Sequence, residues 1–249
     1  MLNAFIQFVD YISYYLAGTT RHGLHSPFVY HFADLVLYQS SDLNFEMIEN
    51  QRLNMIQSKS KNAHMSLSKI ASTQVLSAKY GRLLQRIVSH YRPNSILEIG
   101  NHTGIESNYL LSNMIQEGKK IEFYQAVDVD DYFQKVKSET QTTFANFYNS
   151  DLLSIHADDR LQSSQLMDLI VFYGDQNSQS YWKYYDQYKL NIGTQTMLVL
   201  TNIRNSNDHY TVWCQMTHLN EVTASIELFN LGILFFRTEQ LQQKFILRY

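Results

Sequence analysis

Through residues 1–90 apolar side chains recur every three or four positions, whereas from Ser95 onward they come in short, nearly continuous runs separated by helical stretches. Leu2, Phe5, Ile6, Val9, Ile12 and Leu16 fall on one face of a helix over residues 2–16, which Gly18 and Thr19-Thr20 end. Ser26 followed by Pro27 predicts the N-cap and first turn of a second helix, running to about Tyr38. A third helix is expected over 42–57. Residues 58–66 are polar and aperiodic and read as a linker. Helical spacing returns from Leu67 to Tyr91, with a break expected at Gly81.

Pro93 stops that pattern, and a strand begins at Ser95 and ends in Glu98-Ile99-Gly100. The spacing then predicts a helix over 105–117, a strand over 121–127, a helix over 131–143 and a short strand over 144–149. The apolar run at 167–173 suits a central parallel strand. A helix over 178–190 carries Tyr181, Trp182, Tyr184, Tyr185 and Tyr188, an aromatic stripe that reads as core. A strand over 196–201 and a helix over 208–219 complete five strand–helix units. Runs at 223–229 and 233–237, separated only by Asn230-Leu231-Gly232, predict an antiparallel hairpin, and 245–249 is a last strand-like stretch. The expectation is an α/β protein with a helical N-terminal extension (1–66) and an α/β domain (67–249).

Composition narrows the class. With 45% hydrophobic and 17% charged residues the chain suits a globular protein. A net charge of −3 without a basic stripe argues against nucleic acid as the main partner. No stretch is apolar enough to suggest a membrane span, and the single cysteine, Cys214, excludes an internal disulfide framework. A cytoplasmic protein without membrane attachment is expected. The apolar N-terminal helix, with Phe5, Phe8, Ile12 and Tyr15, is a possible homodimer face.

The strand–turn–helix at Glu98-x-Gly100-x-x-x-Gly104 holds the clearest chemistry. It lacks the three-glycine pattern that cradles a pyrophosphate at a helix N-terminus, which disfavours a nicotinamide-dependent oxidoreductase. An acid before glycines that let backbone approach a ligand suits a nucleoside bearing a positive charge. Its complement is an acid ending the next strand, placed to accept ribose hydroxyls, and Asp128 stands there. The loop after the third strand offers Asn149, Ser150 and Asp151. Open α/β sheets bind ligands at these strand ends.

With these residues in view, the chain resembles the class I S-adenosylmethionine-dependent methyltransferases, specifically a group from the Bacteroidetes lineage related to catechol-type O-methyltransferases. The resemblance rests on Arg21-His22-Gly23-Leu24-His25-Ser26-Pro27-Phe28-Val29-Tyr30, on Lys79-Tyr80-Gly81-Arg82-Leu83-Leu84, and on Ile96-Leu97-Glu98-Ile99-Gly100 with Thr103-Gly104-Ile105. Near the C-terminus it rests on Phe229-Asn230-Leu231-Gly232-Ile233-Leu234-Phe235-Phe236-Arg237, Glu239-Gln240 and Phe245-Ile246-Leu247-Arg248-Tyr249. It implies a Rossmann-like methyltransferase fold: a mostly parallel seven-stranded sheet of order 3-2-1-4-5-7-6 with strand 7 antiparallel. It also implies S-adenosylmethionine held by Glu98, Gly100, Asn101, His102, Gly104, Asp128, Val129, Asp151 and Tyr173, and a small-molecule acceptor.

The chain departs from that pattern at two strand ends. Relatives end the fourth strand with an acid before Gly-Asn-His, and here the stretch is Tyr173-Gly174-Asp175-Gln176. Relatives end the fifth with two acids, and here it is Thr201-Asn202-Ile203-Arg204. In cation-dependent relatives those acids hold magnesium, which prefers carboxylate oxygens. The expectation is therefore no metal and a cation-independent reaction. Asp175 is the catalytic candidate, with His102, His22 and His25 as other possible bases, and a catalytically silent relative serving as a binding or interaction module is the alternative.

Overall fold

The computed structural model describes residues 2–40, 43–57, 75–100, 103–116, 121–127, 165–174, 177–238 and 242–249, with the side chains of 2–6 and 114–116 excepted. Helices α1 (Leu2–Ala17), α2 (Pro27–Phe32) and α3 (Glu46–Gln57) precede α4 (Ala78–Tyr91). Strand β1 (Ser95–Ile99) leads into α5 (Ile105–Gln116) and β2 (Phe123–Val127). Then come β3 (Met167–Phe172), α6 (Ser180–Tyr188), β4 (Ile192–Thr201), α7 (Asn207–Met216), β5 (Ala224–Glu227), β6 (Leu231–Phe235) and β7 (Gln243–Ile246).

The strands form one sheet of order β2-β1-β3-β4-β6-β5-β7. β1 lies parallel to β2 and β3, and β3 parallel to β4. β6 runs antiparallel to both β4 and β5, as the hairpin predicted, with its turn at Leu228–Asn230 rather than at 230–232. β7 pairs parallel with β5 and adds an outer strand beyond the expected order. The strand expected at 144–149 lies outside the described residues, as do the helix expected at 131–143 and the linker at 58–66.

Both faces of the sheet are covered, which is why its central strands read as continuous apolar runs. One face packs Ile96, Leu169, Val171, Val199 and Ile233 against α4, α5 and the α2 region (Val29, Phe32, Val36). The other packs Leu97, Ile99, Ile170, Phe172, Leu198 and Leu200 against the α6 tyrosines and the α7 residues Val212, Trp213 and Met216. Alternate residues of β1 thus serve opposite faces, and Glu98 shares its side with Ile96.

The break expected at Gly81 does not occur. Helix α4 continues through it, because the missing side chain admits a neighbour: a Cβ there would stand 2.6 Å from the Tyr109 ring of α5. Ser26 caps α2 as the sequence suggests, its Oγ accepting the Val29 N–H at 3.5 Å, and the helix continues as a wider turn over Ala33–Leu37.

The chain ends are stitched together. Thr19 N–H donates to Ile246 O and Arg248 N–H to Thr19 O, each at 2.9 Å, while the Tyr14 hydroxyl donates to Leu247 O. Arg86 donates to Val36 O at 2.7 Å and to the Tyr249 hydroxyl at 2.9 Å, and that hydroxyl donates in turn to Lys79 O. The sheet, α1 and the α2 region are therefore tied at one end.

Candidate functional site

Because β1 sits between β2 and β3, the chain leaves it in opposite directions on its two sides. The crevice beyond the C-terminal ends of β1 and β3 is the switch point where such sheets bind ligands. The backbone there is set by glycine. Gly100 has φ +79° and Gly104 φ +71°, conformations that side chains disfavour. Gly100 N–H donates to Val127 O and Tyr173 N–H to Ile99 O, each at 2.9 Å, so the turn is pinned to both neighbouring strands. A Cβ on Gly100 would come within 3.0 Å of Tyr173 O.

Beneath the turn lies a group of acids and hydroxyls. Glu98 has no exposed surface, and its carboxylate accepts the hydroxyls of Ser107 (2.6 Å), Tyr124 and Tyr173. These donors come from α5, β2 and the end of β3, so one carboxylate crosslinks the elements that frame the crevice. Charge-assisted bonds of this kind are stronger than neutral ones. Burial, with Glu98 and Glu106 close by, pushes the Tyr173 phenol well above its usual value, which keeps it a donor.

Glu106 is the second buried acid. Its carboxylate accepts Leu76 N–H at 2.8 Å and the Thr103 hydroxyl at 3.3 Å. Burial raises it to about 7, and the Glu98 charge adds to the rise while these hydrogen bonds oppose it. Thr103 and Glu106 have the Thr-x-x-Glu spacing of a helix-starting capping box, here at the head of α5 with the acid turned toward the segment before α4. That spacing, and the tyrosine midway along β2, are the sequence signals for residues the motif reading passed over.

The ends of β3 and β4, where the resemblance led to an expectation of acids, are joined to each other. Gly174 N–H donates to Thr201 Oγ1 and Asn202 Nδ2 donates to Gly174 O, both at 3.2 Å, and the Tyr181 hydroxyl donates to Thr201 O. Thr201 is fully buried. The donors present are thus a phenol, an alcohol and an amide, already engaged within the protein. Among the described residues no three His, Cys, Asp or Glu side chains converge in a way that would hold a metal.

Of the residues singled out in the sequence, Glu98, Gly100 and Tyr173 come together, and Gly104 leads into α5. Asn101, His102, Asp128, Val129, Asp151 and Asp175 lie outside the described residues. His22 and His25 are exposed on the segment joining α1 to α2, where Arg21 pairs with Asp34 at 2.7 Å.

Farther along the same sheet edge, a cavity of about 310 Å³ lies between α1 and α7, lined by Asp10, Ser13, Arg204, Ser206, Asn207 and Tyr210. Its arginine is fixed: Arg204 Nε reaches Glu227 at 2.9 Å, and the guanidinium stacks 3.8 Å from the Tyr210 ring centre. Another cavity of about 310 Å³, lined by Arg92, Asp168, Thr194 and Arg237 among others, lies at the opposite edge, at the starts of β1, β3 and β4.

No family model matches this chain, and no curated protein matches it. Solved structures do. A candidate caffeoyl-CoA O-methyltransferase from Staphylococcus aureus aligns with TM-score 0.56 at 13% identity, over 83% of this chain and 97% of its own. A Podospora anserina methyltransferase with bound S-adenosylhomocysteine gives 0.54 at 12%, over 80% and 100%. An O-methyltransferase from Bacillus cereus, in complex with the same ligand, gives 0.52 at 13%, over 82% and 95%. The chain has the Rossmann-like fold of these methyltransferases.

Proposed function

We propose that the protein binds S-adenosylmethionine and transfers its methyl group, without a metal ion, to a small-molecule acceptor. The observation that carries this reading is the glycine turn with φ +79° and +71°, standing at the switch point of a sheet with the methyltransferase strand order. The open backbone of such a turn fits close approach of a nucleoside. Asp128, next in sequence after β2, is proposed for the ribose hydroxyls, with Asn101, His102, Val129 and Asp151 completing the cofactor site. Glu98 is buried under three hydroxyls, so its role is to position: it fixes the turn, α5 and Tyr173 relative to one another.

Bound S-adenosylmethionine supplies an electrophilic methyl on a sulfonium, and alignment with the acceptor accounts for ~7–11 kcal/mol of such a reaction's barrier. The chain's task is orientation and, for a hydroxyl acceptor, removal of one proton. Asp175 is proposed to accept it. The proposal that no metal takes part rests on donor chemistry: Tyr173, Thr201 and Asn202 offer no carboxylate, and Thr201 and Asn202 bond Gly174. A cytoplasmic location is part of the proposal; among the described residues no helix is long and apolar enough to cross a membrane.

The joined ends of β3 and β4 favour a second reading, a silent relative that binds ligand without catalysis. Titration calorimetry with S-adenosylmethionine and S-adenosylhomocysteine separates the possibilities. Saturable binding that Asp128→Ala abolishes is expected. Absence of binding at millimolar ligand overturns both readings of the pocket, and binding without methyl transfer to any acceptor class tried leaves the silent relative. Stimulation by added magnesium contradicts the metal-free mechanism.

A further inference from the structure

The outward side of α1 is apolar without interruption. Phe8, Val9, Tyr11, Ile12, Tyr15 and Leu16 are 59, 44, 41, 41, 47 and 73% exposed. On a helix of 3.6 residues per turn they form one arc covering nearly half the circumference. The only charged residue in the helix, Asp10, lines the inner cavity beside Arg204. Soluble monomers seldom expose apolar patches beyond a few hundred Å².

The fold aims this face outward and holds it there. Tyr14, on the inner side, is 1% exposed and bonds Leu247 O. Tyr11 meets Phe229 edge-on at 5.1 Å, and Arg248 donates to Tyr15 O at 2.8 Å while its guanidinium covers part of the Tyr15 ring. Rotating α1 to bury the stripe would break all of these contacts and the Thr19 pairing with Ile246 and Arg248.

We infer that this face is covered by the same face of a second copy of the chain, in a two-fold α1–α1 contact. Charge and area both favour that occupant. A lipid surface selects helices with Lys or Arg beside the apolar stripe, and α1 has neither. A two-fold contact sets each patch against its own copy, which a patch whose own side chains are uncharged tolerates, the one cation at its edge being Arg248 on the Tyr15 ring. Side chains of this size offer on the order of 200 Å² each when fully exposed, so the six leave roughly 500–600 Å² open. Two copies remove ~1,100 Å², just past the ~1,000 Å² expected of a specific interface, with Phe8, Tyr11 and Tyr15 as aromatic anchors. The contact is independent of the methyltransferase reading, although it would press α1 onto the Arg204 cavity.

Sedimentation equilibrium on the intact protein tests it. The wild type is expected to be a dimer at micromolar concentration, and Ile12→Glu to raise the dissociation constant by more than ~100-fold with an unchanged circular dichroism spectrum. Ile12→Lys behaves likewise, and mixing the two variants restores dimer. The wild-type melting temperature is also expected to rise with protein concentration, a readout that does not depend on any variant folding. A monomeric wild type with a concentration-independent melting temperature overturns the inference. So does an Ile12→Glu dimer of wild-type affinity, or co-sedimentation of the wild type with phosphatidylcholine vesicles.

Discussion

A carboxyl that takes up its proton near neutral pH leaves a mark on stability, and Glu106 is such a group. Its folded value of about 7 lies above the ordinary 4.5. Between those values the folded protein holds a proton that the unfolded chain has released, so stability falls as pH rises through this window. The stabilisation is fully present below about pH 4.5 and gone above about 7, a change on the order of 3 kcal/mol. Glu106→Gln keeps the shape and an acceptor for Leu76 N–H but cannot ionise. Urea denaturation from pH 5 to 8 is expected to show the wild type losing stability relative to this variant, with the difference saturating above pH 8. Parallel curves would place Glu106 as an ordinary ionised acid. Glu98, buried like Glu106, is held instead by three hydroxyl donors from three different elements.

At the scale of elements, Gly81 sets two rules against each other. Alanine is favoured over glycine in a helix interior by about 1 kcal/mol. Here the added Cβ meets a ring that cannot retreat, since Tyr109 is 1% exposed, bonds Glu49 through its hydroxyl and packs 5.1 Å from the Phe45 ring. Overpacking costs ~1–3 kcal/mol, so with the ~1 kcal/mol helix gain set against it Gly81→Ala is expected to lower stability by up to ~2 kcal/mol in chemical denaturation. A stabilised variant would mean that α4 and α5 separate more easily than their contact suggests. The same position explains a misreading. A glycine in a helical pattern reads as a break from sequence alone, because the ring that occupies its space comes from Tyr109 on another helix. Period and turn chemistry sufficed for β1, the α2 cap and the β5–β6 hairpin, where the determinants are local. The partners of Glu98 were not legible, because Tyr124, Tyr173 and Ser107 converge only after three elements assemble. Glu106 was legible in principle through its spacing from Thr103.

At the scale of the molecule, the question is whether the helical N-terminus is an appendage or part of the core. Composition suggests a division near residue 66, yet Val29, Phe32, Ala33, Val36 and Leu37 are 0–2% exposed and share one cluster with Ile96, Val171, Val199 and Ile233 of the sheet. Burying each of the four larger side chains contributes ~1.5–3 kcal/mol, roughly 6–12 kcal/mol together, which is comparable with the 5–15 kcal/mol net stability of a typical domain before the sheet face exposed by their removal is counted. The Arg86 bonds to Val36 O and Tyr249, and the Thr19 pairing with β7 and Arg248, would be lost with them. Removing residues 1–40 is therefore expected to leave a remainder that does not fold cooperatively, and the intact chain to unfold in one transition seen equally by far-ultraviolet circular dichroism and tyrosine fluorescence. Two separate transitions, or a truncated chain that melts as sharply as the intact one, would instead support the division near residue 66. Cooperative unfolding would also carry a consequence for the crevice. Tyr80 of α4 donates its hydroxyl to Leu228 O at 2.6 Å while Leu76, just before that helix, bonds Glu106, so the helical layer reaches from the hairpin to the head of α5. Loss of the N-terminal helices would then reach the turn at Gly100 through this layer.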